Sequence, residues 1–343
     1  MDASLTLVII TIGLALFFDF LNGFHDAANS IAAMVSTRLM KPHWAVLWAA
    51  FFNFVAFLFF GVHVATTIGV GLVDPSVISI HVILAALLGA IFWNIFTWYY
   101  GLPSSSSHAL IGGLLGASIA HAGFAPLKWF GVCKVLAAIV ISPLLGMLMA
   151  MILMVTTARL FFYCTPNKVE GWFHKLQFLS SAFISLGHGS NDAQKTMGII
   201  AILLFSSNLI GNHFYVPFWV VISCNFVIAL GTVFGGWRIV KTMGMRITKL
   251  RPASGFCSDT ASAITLALAT SLGIPVSTTH TVTGAIIGVG SLNGFSAVRW
   301  GVAKNIVWGW VLTIPAAGSV AAIVWSITQF FASSAPLALN TGM

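Results

Sequence analysis

The sequence predicts an all-α polytopic membrane protein made of two inverted-topology repeats, each with a broken helix and a re-entrant helical hairpin. Three observations predict it. The first is composition: 59% of the 343 residues are hydrophobic and 6% are charged, whereas a soluble domain carries about 25% charged residues. The second is a polar string that occurs twice, each time inside a long apolar stretch. Gly101-Leu-Pro-Ser-Ser-Ser-Ser-His108-Ala-Leu-Ile-Gly112-Gly-Leu-Leu-Gly116 pairs with Gly273-Ile-Pro-Val-Ser-Thr-Thr-His280-Thr-Val-Thr-Gly284-Ala-Ile-Ile-Gly288, at an offset of 172 residues. The third is that equivalent loops of the two halves carry opposite charge bias.

Apolar runs of about 20 residues mean spanning helices and not barrel strands. The start, Met1-Asp-Ala-Ser, has no basic n-region, so the first run reads as a resident span and not a cleaved signal peptide. The net charge of +8 is spread over loops and forms no basic block, which argues against a nucleic-acid partner. The partner that composition implies is the lipid bilayer. Cys133, Cys164, Cys224 and Cys257 are scattered, show no metal-ligand spacing and read as structural. No structural metal site and no resident cofactor is expected. Homo-oligomerisation is left open.

Repeat one occupies 1–160, a hydrophilic cytoplasmic linker 161–177, and repeat two 178–335. The apolar segments 5–36, 43–60, 79–99, 104–120 and 130–157 have the counterparts 178–205, 215–236, 256–272, 276–292 and 300–331. The loop 237–251 holds Arg238, Lys241, Arg246, Lys249 and Arg251, while its counterpart 61–78 holds no Lys or Arg. Arg38 and Lys41 follow the first span, while the matching loop 206–214 has no Lys or Arg. Positive loops stay inside, so the two copies insert upside down relative to each other. Inversion needs an odd number of crossings per repeat. The segment 79–120 then enters and leaves on one face with Pro103–Ser107 at its tip, and both termini lie outside. The alternative, that each hairpin limb crosses fully, stays open because 79–99 is long enough to span.

Pro103 and Pro275 cannot continue a helix, and the hydroxyl runs after them suit a helix start. A helix N-terminus offers free N–H groups and the positive end of a dipole, which suits an anion. Two such tips meeting near the midplane would surround an anion with donors. Ser105, Ser106, Ser107, Ser277, Thr278 and Thr279 are the candidate ligands. The pairs Gly112/Gly116 and Gly284/Gly288 permit close helix contact.

A second motif pair, Gly23-Phe-His-Asp26-Ala-Ala-Asn29 and Gly189-Ser-Asn-Asp192-Ala-Gln-Lys195, is offset by 166 residues. An acid inside a span is costly and marks a functional site by default. Asp26 and Asp192, with Asn29 and Asn191, look like cation or proton sites, on helices that could open at Gly23 and Gly189. Lys195 lies one turn from Asp192, so a fixed structural ion pair is the competing reading there. His25 sits beside Asp26 and titrates near neutral pH. The twins His108 and His280 either hold protons or bond to backbone at the hairpin tips. Asp19 has no acidic twin and stays unassigned; Asp259 reads as a cap of its hairpin limb.

These residues carry a family likeness. Phe18-Asp-Phe-Leu-Asn-Gly-Phe-His-Asp-Ala-Ala-Asn-Ser, with Gly-Ser-Asn-Asp-Ala-Gln-Lys in the second half, resembles the duplicated signature of the inorganic phosphate transporter (PiT) family. The two Pro-x-Ser-Ser/Thr-Ser/Thr-His tips resemble that family's hairpins, and the likeness runs over 5–331. It implies phosphate import driven by a cation gradient, outward termini, phosphate between the two tips and coupling ions at the Asp-containing breaks. His25, Lys195, and Asn53 with Asn225 depart from the sodium-coupled pattern. They look like the bacterial low-affinity branch of the inner membrane, which is similar in using H+ and accepting divalent metal–phosphate complexes. Three other functions remain open: Na+ coupling, a permease for another oxyanion such as sulfate, and a passive channel. A membrane hydrolase is disfavoured, because Ser107 and His108 are adjacent and no Gly-x-Ser-x-Gly elbow exists. The protein is therefore not expected to be an enzyme.

Overall fold

The computed structural model describes residues 3–211 and 213–334. The first half contains α1 (Ala3–Ser36), α2 (Pro42–Val55), α3 (His63–Val70), α4 (Ile80–Tyr100), α5 (Ser106–Ala122) and α6 (Trp129–Leu160). The second repeats this order with α7 (Pro166–Ser206), α8 (Phe218–Phe234), α9 (Trp237–Lys241), α10 (Pro252–Ser271), α11 (Thr278–Ser291) and α12 (Trp300–Ser334). A π-helical turn, Thr242–Arg246, extends α9. Four helices, α1, α4, α6 and α12, are long and apolar enough to cross a membrane by themselves. Two bent pairs raise the number to six: α2 with α3, bent by 81°, and α8 with α9, bent by 63°. The protein is an integral membrane protein.

Polarity is distributed as a bilayer requires. Along α6, Leu136, Val140, Leu144, Leu148 and Ile152 form an exposed apolar stripe at helical spacing. α7 is buried without interruption from Gly187 to Leu204, although it carries His188, Asn191, Asp192, Gln194 and Lys195. Polar side chains are thus gathered in the centre, where they bond to one another instead of meeting lipid.

The structure adds detail to one expectation and corrects another. The hydrophilic stretch 165–175 between the halves is largely helical. Thr165 is extended (φ −66°, ψ 142°), Pro166 opens α7, and 166–177 form its first turns. Proline at the first helical position has no N–H to lose and a φ already set for the helix. The helix breaks also lie elsewhere than expected. α1 and α7 run unbroken through Asp26 and Asp192, and the breaks fall in the second helix of each half. Gly23 and Gly189 serve packing instead: a Cβ on Gly23 would stand 2.0 Å from the Ile228 carbonyl oxygen, and one on Gly189 2.4 Å from that of Asn53.

The two halves interlock. α5 packs on α12 of the other half, with a Cβ on Gly116 falling 2.2 Å from the Gly318 carbonyl. α11 packs on α6 in the mirrored way, with Gly284 against the Pro143 carbonyl at 2.1 Å. Each hairpin turns at a left-handed glycine, Gly101 (φ 64°) or Gly273 (φ 62°). Each turn carbonyl is held by a threonine of the opposite half. Thr242 Oγ1 donates to Gly101 O at 2.9 Å, and Thr67 Oγ1 donates to Gly273 O at 2.8 Å. The tips touch the interiors of α1 and α7 and not their ends.

Candidate functional site

The tips owe their shape to capping. After Gly101 the chain runs through Pro103 and restarts as α5, where the Ser105 side chain accepts the His108 N–H at 3.2 Å. The second tip repeats this, with Ser277 accepting the His280 N–H at 3.2 Å. Ser105 and Ser277 are therefore N-caps, whose oxygens satisfy backbone donors at helix starts. The hydroxyls that face the centre are the next two in each string.

Those four hydroxyls are shared between the two acids. Ser106 Oγ donates to Asp26 Oδ2 at 3.1 Å, and its twin Thr278 Oγ1 donates to Asp192 Oδ2 at 2.8 Å. Ser107 Oγ donates to Asp192 Oδ1 at 3.4 Å, and its twin Thr279 Oγ1 donates to Asp26 Oδ1 at 3.3 Å. Each tip thus bonds to the acid of its own half and to that of the other. The residues after the acids follow the same pseudo-twofold. Asn29 Nδ2 donates to Thr278 and Thr279, both at 3.0 Å. Its counterpart Lys195 donates to Ser107 at 2.5 Å, to the Val276 carbonyl at 2.8 Å and to Asp192. Asp26, Asp192 and Lys195 are all buried.

His25 bridges outward from Asp26. Its Nδ1 lies 2.8 Å from Asp26 Oδ1 and its Nε2 lies 3.1 Å from Thr97 Oγ1, which also accepts from Ser104 Oγ. The rings of His108 and His280 lie 4.8 Å apart behind the tips, and His280 stacks on Trp310 at 4.0 Å. Asn191 lies apart from this group, with Nδ2 donating to Thr270 Oγ1 of α10 at 3.0 Å. Asp259 caps nothing. It is buried in the second turn of α10.

His188 escaped the sequence reading. Its Nε2 lies 3.2 Å from Asp192 Oδ2 and its Nδ1 3.2 Å from Asn53 Oδ1. Asn53 in turn donates to Thr232 Oγ1 at 2.9 Å. The available signal was the i,i+4 spacing of His188 and Asp192, which places both on one face of α7. Asp26, His188 and Asp192 each bring one ligand atom to within 4.8 Å of the others, a grouping able to hold a metal ion.

The site is a buried cluster of small hydroxyl donors, two carboxylates and one ammonium, built twice and closed across a pseudo-twofold. A family profile described as the phosphate transporter family matches residues 22–321, which include both tips and both acids. The chain belongs to the phosphate transporter family. It is 61% identical over 327 residues to a probable low-affinity inorganic phosphate transporter of Rhizobium meliloti (strain 1021), across 95% of this chain and 98% of that one. It is 44% identical over 329 residues to a protein of the same description from Bacillus subtilis (strain 168), with the same coverage. Among solved structures it is similar to one titled the sodium-dependent phosphate transporter, with a TM-score of 0.88 and 28% identity over 95% of this chain and 99% of that one. The family is one of transporters and not of enzymes.

Proposed function

We propose that this phosphate transporter family member imports inorganic phosphate across the bacterial inner membrane by symport with protons, binding the anion between the two hairpin tips. The reading rests on one observation. The hydroxyls of Ser106, Ser107, Thr278 and Thr279, which suit a tetrahedral oxyanion, are all donated to Asp26 and Asp192. An anion and two carboxylates compete for the same donors. They also repel: unit charges 4 Å apart cost about 4 kcal/mol at an effective dielectric of about 20. The anion therefore needs a cation to neutralise the acids. Asp192 already has the Lys195 ammonium, so a proton on Asp26 removes the remaining charge and frees hydroxyl hydrogens for the anion. Release of the proton returns the hydroxyls to the carboxylates and expels the anion. Binding and protonation are thereby linked, and linked binding is symport.

Lys195 supports protons over sodium. Its ammonium donates to three oxygens, of Asp192, Ser107 and Val276, and a fixed cation there opposes a mobile one. The solved relative is titled sodium-dependent, so Na+ coupling is the competing mode. A second reading has its own observation. The grouping of Asp26, His188 and Asp192 suits a divalent ion that arrives as metal–phosphate cargo. We further assign repeat one to 1–160 and repeat two to 178–335, and place both termini on the outer face, following the loop charges.

Uptake of phosphate into proteoliposomes, with proton and sodium gradients imposed separately and with and without Mg2+, tests the reading. Accumulation driven by the proton gradient alone is the expected result. Sodium-driven, pH-independent uptake would overturn proton coupling, and competition by equimolar sulfate would overturn the substrate.

A further inference from the structure

Asp19 takes no part in the site described above. It lies seven residues before Asp26 on α1, about 10 Å along the helix axis. Asp19, Asn22 and Asp26 fall at i, i+3 and i+7, on one face of the helix. Asp19 is fully buried. Its Oδ1 accepts a hydrogen bond from Thr196 Oγ1 at 2.8 Å, and Thr196 stands one turn beyond Asp192 on α7. Its Oδ2 and both polar atoms of the adjacent Asn22, itself 1% exposed, make no close hydrogen bond, and the Asn22 amide interacts with the carboxylate only at longer range.

The charges around Asp19 give it no counter-ion. Among the described residues the ion pairs join His25 to Asp26, and His188 and Lys195 to Asp192. α7 presents Asp192 towards Asp19, and α8 presents Cys224. The titratable residues of α4 (His81, Tyr99 and Tyr100) sit at its ends, and that of α2, His43, in its first turn. α5 and α11 bring His108 and His280 to the tips, at the level of Asp26, and Asp259 of α10 lies beside Gln177 at the opposite end of α1. A buried carboxylate with one close donor, a neighbouring amide and no base is penalised, whereas the neutral acid is accommodated.

We propose that Asp19 is a second proton-binding site of the transporter, separate from the Asp26/Asp192 cluster, whose occupancy keeps the seam between α1, α7 and α8 closed. The proton comes from water and returns to water, one per carboxyl, with no other bond made or broken. Loss of the proton leaves an unpaired charge facing Asp192, and the seam opens to hydrate it. The proposal rests on the proton-coupled reading for its place in the transport cycle, and its test is independent of that reading.

Cys224 is a native reporter, being buried at the same seam. The experiment labels the intact protein in liposomes with a small hydrophilic thiosulfonate between pH 5 and 9. Peptide-resolved mass spectrometry measures Cys224 labelling as a ratio to the exposed Cys133 in the same chain. The ratio should rise several-fold towards alkaline pH in the native protein, stay flat in Asp19→Asn and remain pH-dependent in Asp19→Glu. Should Asp19→Asn fail to insert, Thr196→Val decides: losing one donor to the carboxylate should raise the half-point by roughly one pH unit. A ratio that is flat in the native protein, that rises equally in Asp19→Asn, or that is unmoved in Thr196→Val overturns the proposal. Proton-driven phosphate uptake measured on the same liposomes reports separately on the coupling. Native uptake indifferent to protons sinks that reading and leaves the labelling result to stand or fall alone.

Discussion

Ser107, on the first hairpin tip, donates to Asp192 of the second half at 3.4 Å. Thr279 returns the bond from the second tip to Asp26 at 3.3 Å. Neither half completes its own site. Separating the tips would break bonds to both acids together. Charge on either acid is thus felt at both tips.

Removing a tip hydroxyl should weaken anion binding. Ser106→Ala and Thr278→Ala each delete one donor at a twin position, and a lost hydrogen bond of about 1 kcal/mol corresponds to roughly fivefold in the apparent phosphate affinity. The double variant should show the larger loss. Concentration-dependent uptake in liposomes checks this, and an unchanged half-saturation in a correctly inserted double variant would exclude the tips as the anion site.

Asp26→Asn should uncouple the protein. The amide keeps the size of the acid and accepts from Ser106 and Thr279, but it cannot exchange a proton. Insertion and thermal stability in detergent should stay near those of the parent. Accumulation against a gradient should disappear, while exchange of phosphate across the membrane at equal pH persists. Accumulation at the parental level would show that Asp26 is not a coupling group.

Lys195→Asn replaces the ammonium by the neutral residue found at the twin position, Asn29. Asp192 then keeps His188 but loses its lysine, and removing one partner of a buried ion pair costs up to about 3–5 kcal/mol when nothing substitutes for it. Sodium is the natural substitute, as a mobile cation beside a carboxylate and a carbonyl. The variant should be destabilised in potassium buffer, recover in sodium and gain sodium-stimulated uptake. Melting temperatures in the two salts, identical to each other, would refute a cation position at Lys195.

Gly284→Ala probes the interlock of the halves. The new Cβ would stand 2.1 Å from the Pro143 carbonyl oxygen, and backbone on both sides resists displacement. Overpacking of this kind costs about 1–3 kcal/mol. Gly171→Ala is the control, since nothing lies within 4 Å of its Cβ position. A thermal shift in the first and none in the second is the expected result of a melting series.

The sequence by itself determined the membrane environment, the duplication, the two hairpin tips and the pair of acids. Each is a local or periodic property. Apolar length, a repeated Pro/Gly-broken hydroxyl string and an acid in an apolar run are visible without knowing what touches what. The glycine pairs after the tips were legible for the same reason, because a small residue at every fourth position marks a helix contact whoever the partner is. The roles of Gly23 and Gly189 were not legible. A glycine beside an acid suits either an opened backbone or a close crossing, and only the carbonyls of Ile228 and Asn53 lying against them decided for the crossing. His188 stayed hidden because its meaning depends on Asn53, which is 135 residues away in the chain. The tertiary structure alone decided which hydroxyl serves which acid. Ser105 and Ser277 turn back to cap their own helices, Ser106 and Thr278 face the acid of their own half, and Ser107 and Thr279 cross to the other. Four adjacent serines are chemically alike, and only the rotation of a helix start, set by its packing against the opposite half, gives each a different direction.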